Sequence, residues 1–441
     1  MPIRRVLTRI RSVPHPKKTT GAPTTATVAA MVFVDCYGSD AARKDGSALR
    51  DISAMHNSNM ERIAGINPDR FLWCCADRGV SVEECACATD IPMANFEKLL
   101  AGEPSLSFNQ LKKVAEYFGR GVLFFLEQSP VNEAAVHSPQ FRTLANQKPE
   151  LSARIKALIE RVERQRTVYL TLREEVDDGS YPHFAPPQLD GLNQKRAAEV
   201  SRAWLGLGPY NDFESYRRAI EAQGLLVFRS NGYNGKWQIA KESPILGFSL
   251  YAPECPVIVV KKRAADGQQV FTLMHELGHL LLHRHSSIDD DEDMHARGGR
   301  EQEANAFAGN LLVPDDFLSA IADHERPDEV ALFDGWLSVY RKNWGVSSEV
   351  ILRRLMDSSR LPRDLYAAYR QWQNARHLEE KDGGNRAYRY REPKHVFGDV
   401  YVRTVLGALS GKRISLSKAC SYLDNLKVED VRLLEQHYAG V

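Results

Sequence analysis

At 441 residues the chain is long enough for two or three domains. Its 43% hydrophobic and 26% charged residues are those of a globular protein, and a formal net charge of +1 gives no global field that would mark a nucleic-acid or membrane partner. No apolar run approaches the roughly 18 residues of a transmembrane helix, and seven cysteines, few for the length and odd in number, make no disulfide framework, so a reducing cytoplasm is expected.

Residues 1–60 read as a disordered extension or a misassigned start. The first 34 residues carry six basic side chains and no acid, among Pro, Thr, Ala and Ser. The apolar stretch at 25–34 is too weak, and too poorly followed by a cleavage pattern, for a targeting peptide. Residues 61–130 then predict a series of short helices, over Pro68–Arg78, 82–88, 92–100, 107–118 and 122–126. Gly79 breaks the first, Ser81 and Glu84 can form a capping box on the second, and Pro92 is placed to open the third. Helix, short turn and helix inside a small bundle is a helix-turn-helix signature. Residues 61–127 hold seven Lys or Arg against ten Asp or Glu, a net of −3, which equips them poorly for phosphate. DNA contact through 61–130 therefore stays open beside a role in docking another protein or forming a homodimer. Cys74, Cys75, Cys85 and Cys87 lack the C-x-x-C spacing of a zinc site, so core packing is expected.

A long amphipathic helix is predicted over 151–175, with Ile155, Leu158, Ile159, Val162, Tyr169 and Leu172 on one stripe. A Pro/Gly-rich linker follows near 177–192, then helices near 195–205 and 213–222. Strand signals come at 225–228, ending at the Asn231-Gly232 turn pair, at 245–251, which alternates, and at Val257–Val260. A sheet edge can take an extended peptide as an added strand, and Ile245, Leu246, Gly247, Phe248 and Ser249 are the expected edge.

Residues 271–283 read FTLMHELGHLLLH. On a helix, His275 and His279 stand at i and i+4 and share a face, which supplies two of the three protein ligands of a catalytic zinc. Glu276, one residue on from His275, can serve as the base toward water. The acid run at 289–293 reads as a solvated loop at the rim of a cleft. A second helix follows over 300–312, and Glu301 would complete two His and one Glu, with Asn305 on the same face able to orient a histidine and Glu303 the second choice. His283 lies about 12 Å along the axis from His275, too far to share the ion, and is expected in a supporting or capping place.

HELGHLLLH followed by EQEANAFAGNLLVP resembles the ImmA/IrrE family of bacterial and phage metallopeptidases, over roughly residues 136–360. The resemblance implies His275, His279 and Glu301 as zinc ligands, Glu276 as general base, and a helix-turn-helix repressor of stress, phage or mobile-element genes as substrate. The order of helices in 61–130 likewise resembles the repressor-like (XRE-type) helix-turn-helix family.

Past Pro314 the reading is helical. Residues 379–394, with Gly383-Gly384 and alternating Tyr and Arg, read as a linker, and 395–441 as a small C-terminal bundle. The fold class expected is α+β and mostly helical: a helix-turn-helix bundle, a zincin-like metallopeptidase domain at 136–375 with a small sheet, then the C-terminal bundle. The function expected is a Zn2+ endopeptidase, with Tyr251, Arg263, His285 and His295 open as oxyanion donors. The alternatives are a DNA-binding regulator whose metal domain senses a signal, and a toxin–antitoxin component.

Overall fold

The computed structural model describes residues 61–148, 150–176, 181–231, 235–296, 298–376 and 386–440. The extension at 1–60, Gly232, residues 177–180 of the first linker and 379–385 of the second lie outside the described residues. What is described is mostly helical, with one four-stranded sheet: β1 (Leu226–Arg229), β2 (Ile245–Leu250), β3 (Val257–Val260) and β4 (Ser287–Asp290). The spatial order is β1-β3-β2-β4. β1 runs parallel to β3, and the other two pairs are antiparallel.

β1 and β3 are buried on both faces and are accordingly short runs rich in Val, Ile, Leu and Phe. Side chains alternate across a strand. Val227, Ile258 and Val260 enter one core, while Leu226, Phe228, Val257 and Val259 enter the other. The first core is completed by helices Phe213–Glu221, Asp266–Gly278, Gly299–Leu312, Ser348–Asp357 and Arg363–Ala375. The second is completed by the long helix Ala153–Val176 and by Glu392–Ser410, Leu416–Tyr422 and Val428–Ala439.

The C-terminal helices thus share the sheet's core instead of forming one of their own. Residues 386–394 are helical where a linker was expected. Pro393 sits in the first turn of Glu392–Ser410, where a missing N–H costs nothing. Four residues on, Phe397 packs edge-on against Phe228 at 5.6 Å and Trp237 at 4.8 Å. The alternating Tyr and Arg that suggested solvent hide this apolar anchor.

Helices Pro68–Arg78, Val82–Thr89, Met93–Leu100 and Phe108–Phe118, with the 3-10 turn Val122–Phe125, enclose a third core around Phe71, Phe96, Leu111, Phe118 and Phe125. Gly79 ends the first helix at φ 64°, and Ser81 with Glu84 forms the capping box that opens the second. Cys74, Cys75 and Cys85 are buried free thiols in this core, and Cys87 is exposed.

Candidate metal centre

Two helices carry the centre, and small residues let them meet. A Cβ on Gly278 would lie 3.1 Å from the Phe307 ring and 3.3 Å from the Ala304 Cα. With Gly278 and Ala304 at the crossing, the carboxylate helix Gly299–Leu312 comes close enough to lay Glu301 over the histidines. The histidine helix is α-helical to Gly278 and widens to a π turn over His279–His283. Such turns recur at functional sites. Here the turn ends at Arg284 with φ 48°.

His275 Nε2 and His279 Nε2 face each other at 3.0 Å, and each lies 3.2 Å from the same Glu301 Oε2. A fourth donor joins them from β4: Asp289 Oδ2, 3.4 Å from His275 Nε2 and 3.6 Å from His279 Nε2. Donor atoms about 2.0–2.2 Å from one tetrahedral zinc stand roughly 3.3–3.6 Å apart, so these four fit a single ion. His275, Glu276 and Asp289 are all at most 2% exposed. His275 Nδ1, both Glu276 oxygens, Asp289 Oδ2 and the Ser249 hydroxyl have no hydrogen-bond partner. So many orphaned polar atoms in one buried place are costly unless a cation and water share them.

The electrostatics carry the same imprint. Burial alone would lower the His275 imidazole, yet Asp289 and Glu301 raise it to about 9. Burial would raise Asp289 and Glu301, but the histidines hold both below their usual range. Burial first, and then the Asp289 charge, push the Glu276 carboxyl well above the usual carboxylate range. A cation at the donors would replace the protons that the carboxylates now draw onto His275.

Glu276 occupies a slot that glycine makes. A Cβ on Gly247 of β2 would sit 2.8 Å from Thr272 Cγ2, 2.9 Å from the Val259 carbonyl and 3.0 Å from Glu276 Oε1. β2 therefore supports the base from below and is not an edge. Ile245, Leu246, Gly247, Phe248 and Ser249, expected to receive substrate, are buried in a strand between β3 and β4, and Gly247, Phe248 and Ser249 have partners on both sides. The expectation missed β4 because its acids read as a loop. β4 is the edge on the metal side, and it is covered. Ile288 N–H donates to Gln147 Oε1 at 3.2 Å, Gln147 Nε2 donates to the Ser286 carbonyl at 2.8 Å, and Asp290 N–H donates to Asp293 Oδ2 at 3.0 Å.

The remaining expected residues fall outside the donor set. His283 Nδ1 lies 3.1 Å from His279 Nδ1, and its Nε2 lies 3.0 Å from Glu303 Oε2, so Glu303 reaches the centre only through His283. Asn305 does not orient a histidine: its amide donates to the Asp293 carbonyl at 2.9 Å and its oxygen has no partner, which ties the carboxylate helix to the turn after β4. Among the oxyanion candidates, Arg263 and His295 line a cavity beside the centre, whereas Tyr251 and His285 do not.

Asp289 is the residue the acid run concealed. Its signal lies in the alternation of Ser287-Ile288-Asp289: Ile288 enters the far core, so period two turns Asp289 toward the histidine helix. A second group, Asp77, His137 and Glu160, also converges. Arg78 and Arg120 already pair with Glu160, and Arg120 with Asp77, so those carboxylates have their cations.

Residues 221–356 match the family model for the IrrE N-terminal-like domain of the M78 peptidases. The matched segment is under a third of the chain and holds the sheet, the histidine helix, Asp289 and the carboxylate helix. Residues 136–220 and 357–360, where resemblance to the family was also expected, lie outside it. No curated protein matches the chain.

Proposed function

We propose that the centre is the active site of a zinc-dependent endopeptidase, with His275, His279 and Glu301 as ligands and Glu276 as general base. The observation that carries this reading is the buried, unpartnered Glu276 carboxylate beside three donors whose spacing suits one tetrahedral ion. The match of 221–356 to a peptidase domain supports it. When bound, zinc supplies Lewis acidity toward water and a peptide carbonyl.

The chain's own residues account for the proton traffic. Burial first, and then Asp289, raise Glu276, which makes it a stronger base than a solvated carboxylate. It takes a proton from the attacking water and returns it to the leaving amine. Gly247 leaves room for its carboxylate on the side of the sheet. The His283–Glu303 pair holds the His279 imidazole through its other ring nitrogen, while Asp289 faces His275 on the side turned to the ion.

The substrate we favour is a helix-turn-helix repressor. The helical unit of 61–127, with its net −3, suits a protein partner better than phosphate and would bring the repressor to the cleft. The experiment is a trap. Full-length Glu276→Gln protein, loaded with zinc, is used to capture partners, and each captured protein is then offered to wild type. Cleavage of a captured repressor by wild type, and not by the variant, supports the reading. Equal cleavage by both removes Glu276 from its role.

A further inference from the structure

A cavity of about 300 Å³ lies along the histidine helix. Its walls include Gln268, Phe271 and Thr272, which precede His275 by seven, four and three residues and so share its face. At about 1.5 Å of rise per residue, these walls stand roughly 5–10 Å along the axis from His275. An extended peptide covers about 3.3 Å per residue. A side chain two or three positions from a bond held at the histidines therefore reaches the cavity. A second cavity, of about 580 Å³, shares His295, Arg353 and Arg370 with the first and passes Gln302, the neighbour of Glu301. Together they form a groove beside both helices of the centre.

The groove is cationic. Four arginines line the first cavity, Arg263, Arg353, Arg370 and Arg376, against two carboxylates, Asp291 and Glu349. Three of the four are occupied: Arg263 pairs with Asp291 at 3.6 Å, Arg370 with Glu349 at 3.2 Å and Arg376 with Asp334 at 3.2 Å. Arg353 is not. One of its nitrogens donates to the Met294 carbonyl at 3.0 Å; Glu349 and Asp357, a turn to either side on its helix, feel its charge, but among the described residues neither forms an ion pair with it. It stands half-buried where the two cavities join. The field is felt nearby: burial first, then Arg370 and Arg353, hold the His295 imidazole down to about 4. A half-buried guanidinium held by one carbonyl and facing open space is a fork waiting for a carboxylate.

We infer that this cavity is a specificity subsite in which Arg353 receives a carboxylate of the bound peptide, two or three residues from the bond placed at the histidines. The carboxylate comes from an Asp or Glu side chain or from the chain end. Arg370, already tied to Glu349, adds to the field without moving. The assignment rests on the peptidase reading for the direction of the chain, and its test reads binding, so the two can fail separately.

The test uses full-length, zinc-loaded Glu276→Gln protein and fluorescein-labelled, C-terminally amidated alanine decapeptides. Each carries a single Glu, Gln or Lys, moved through the positions, and a matching all-alanine peptide keeps its free carboxyl end. Anisotropy should give a Kd at least tenfold lower for Glu than for Gln at one position, with Lys weakest, or the same gain for the free carboxyl end, which identifies the source. Arg353→Glu should invert the order, and Arg353→Gln should erase it. Equal affinity for all peptides, or a preference for Lys, in the Arg353-containing protein overturns the subsite whether or not either variant folds. A wild-type protein that cleaves none of the preferred peptides counts against the hydrolase alone. Cleavage without charge preference counts against the subsite alone.

Discussion

Asp289 Oδ2 lies 3.4 Å from His275 Nε2, delivered by a strand and not by either helix of the metal motif. Its other oxygen accepts from the Ser287 hydroxyl at 3.0 Å, so the carboxylate is aimed. That position, on the nitrogen that faces the other donors, makes Asp289 a further donor to an ion placed there, so metal affinity should depend on it. Asp289→Asn should weaken zinc binding about 10–100-fold, when measured by competition with a chromogenic chelator. Unchanged affinity would reduce Asp289 to a strand residue.

The slot beneath Glu276 should be intolerant of a side chain. Gly247→Ala places a methyl group 2.8 Å from Thr272 Cγ2, 2.9 Å from the Val259 carbonyl and 3.0 Å from Glu276 Oε1. A loss of about 1–3 kcal/mol in urea unfolding is expected. Glu276→Gln, close to isosteric, should keep fold and metal while peptide cleavage falls about 10²–10⁴-fold.

The cover on β4 can be removed one bond at a time. Gln147→Ala strips the acceptor from Ile288 N–H and the donor from the Ser286 carbonyl. The edge then faces water, at a cost of about 1 kcal/mol, and hydrogen exchange at Ile288 should quicken while β3 stays protected. Unchanged exchange at Ile288 would mean that Gln147 is not what covers the edge.

The junction between the N-terminal helices and the long helix should respond to pH on both sides. His137 Nε2 lies 2.9 Å from Asp77 and its Nδ1 3.3 Å from Glu160, while its ring stacks on Phe141 at 4.2 Å and faces Trp73. Burial opposes charge on His137, but Asp77 and Glu160 outweigh it and raise the imidazole. Its contribution is therefore complete below the unfolded value of about 6.5 and lost as pH rises through the folded value. Burial likewise opposes charge on Glu160, but His137, Arg78 and Arg120 lower it to about 2. That contribution is complete above about 4.3 and lost as pH falls through about 2. His137→Gln should cost more stability at pH 6 than at pH 9, whereas Glu160→Ala, which strands Arg78 and Arg120, should cost about 3–5 kcal/mol at both.

The helices were legible from the sequence because their caps and stripes are local. Gly79 ends the first helix and Ser81 with Glu84 opens the second, as their local pattern implies. The convergence of His275, His279 and Glu301 was legible because i, i+4 spacing fixes one half of it. Strand order was not, since an alternating segment such as Ile245–Leu250 looks the same at an edge or between two neighbours. Nor was Asp289, whose burial depends on β4 pairing with β2 across the loop that the other acids suggested. The C-terminal helices were misread for a related reason: Phe397 meets Phe228 from 169 residues away, and no local pattern records that.

The most direct measurement is the metal content of the full-length protein by mass spectrometry after purification without added chelator. The account predicts one zinc per chain, retained by Glu276→Gln and lost from His275→Ala and from Glu301→Ala. A wild-type chain that binds no divalent metal when zinc is offered, or one whose content survives loss of His275, would contradict it.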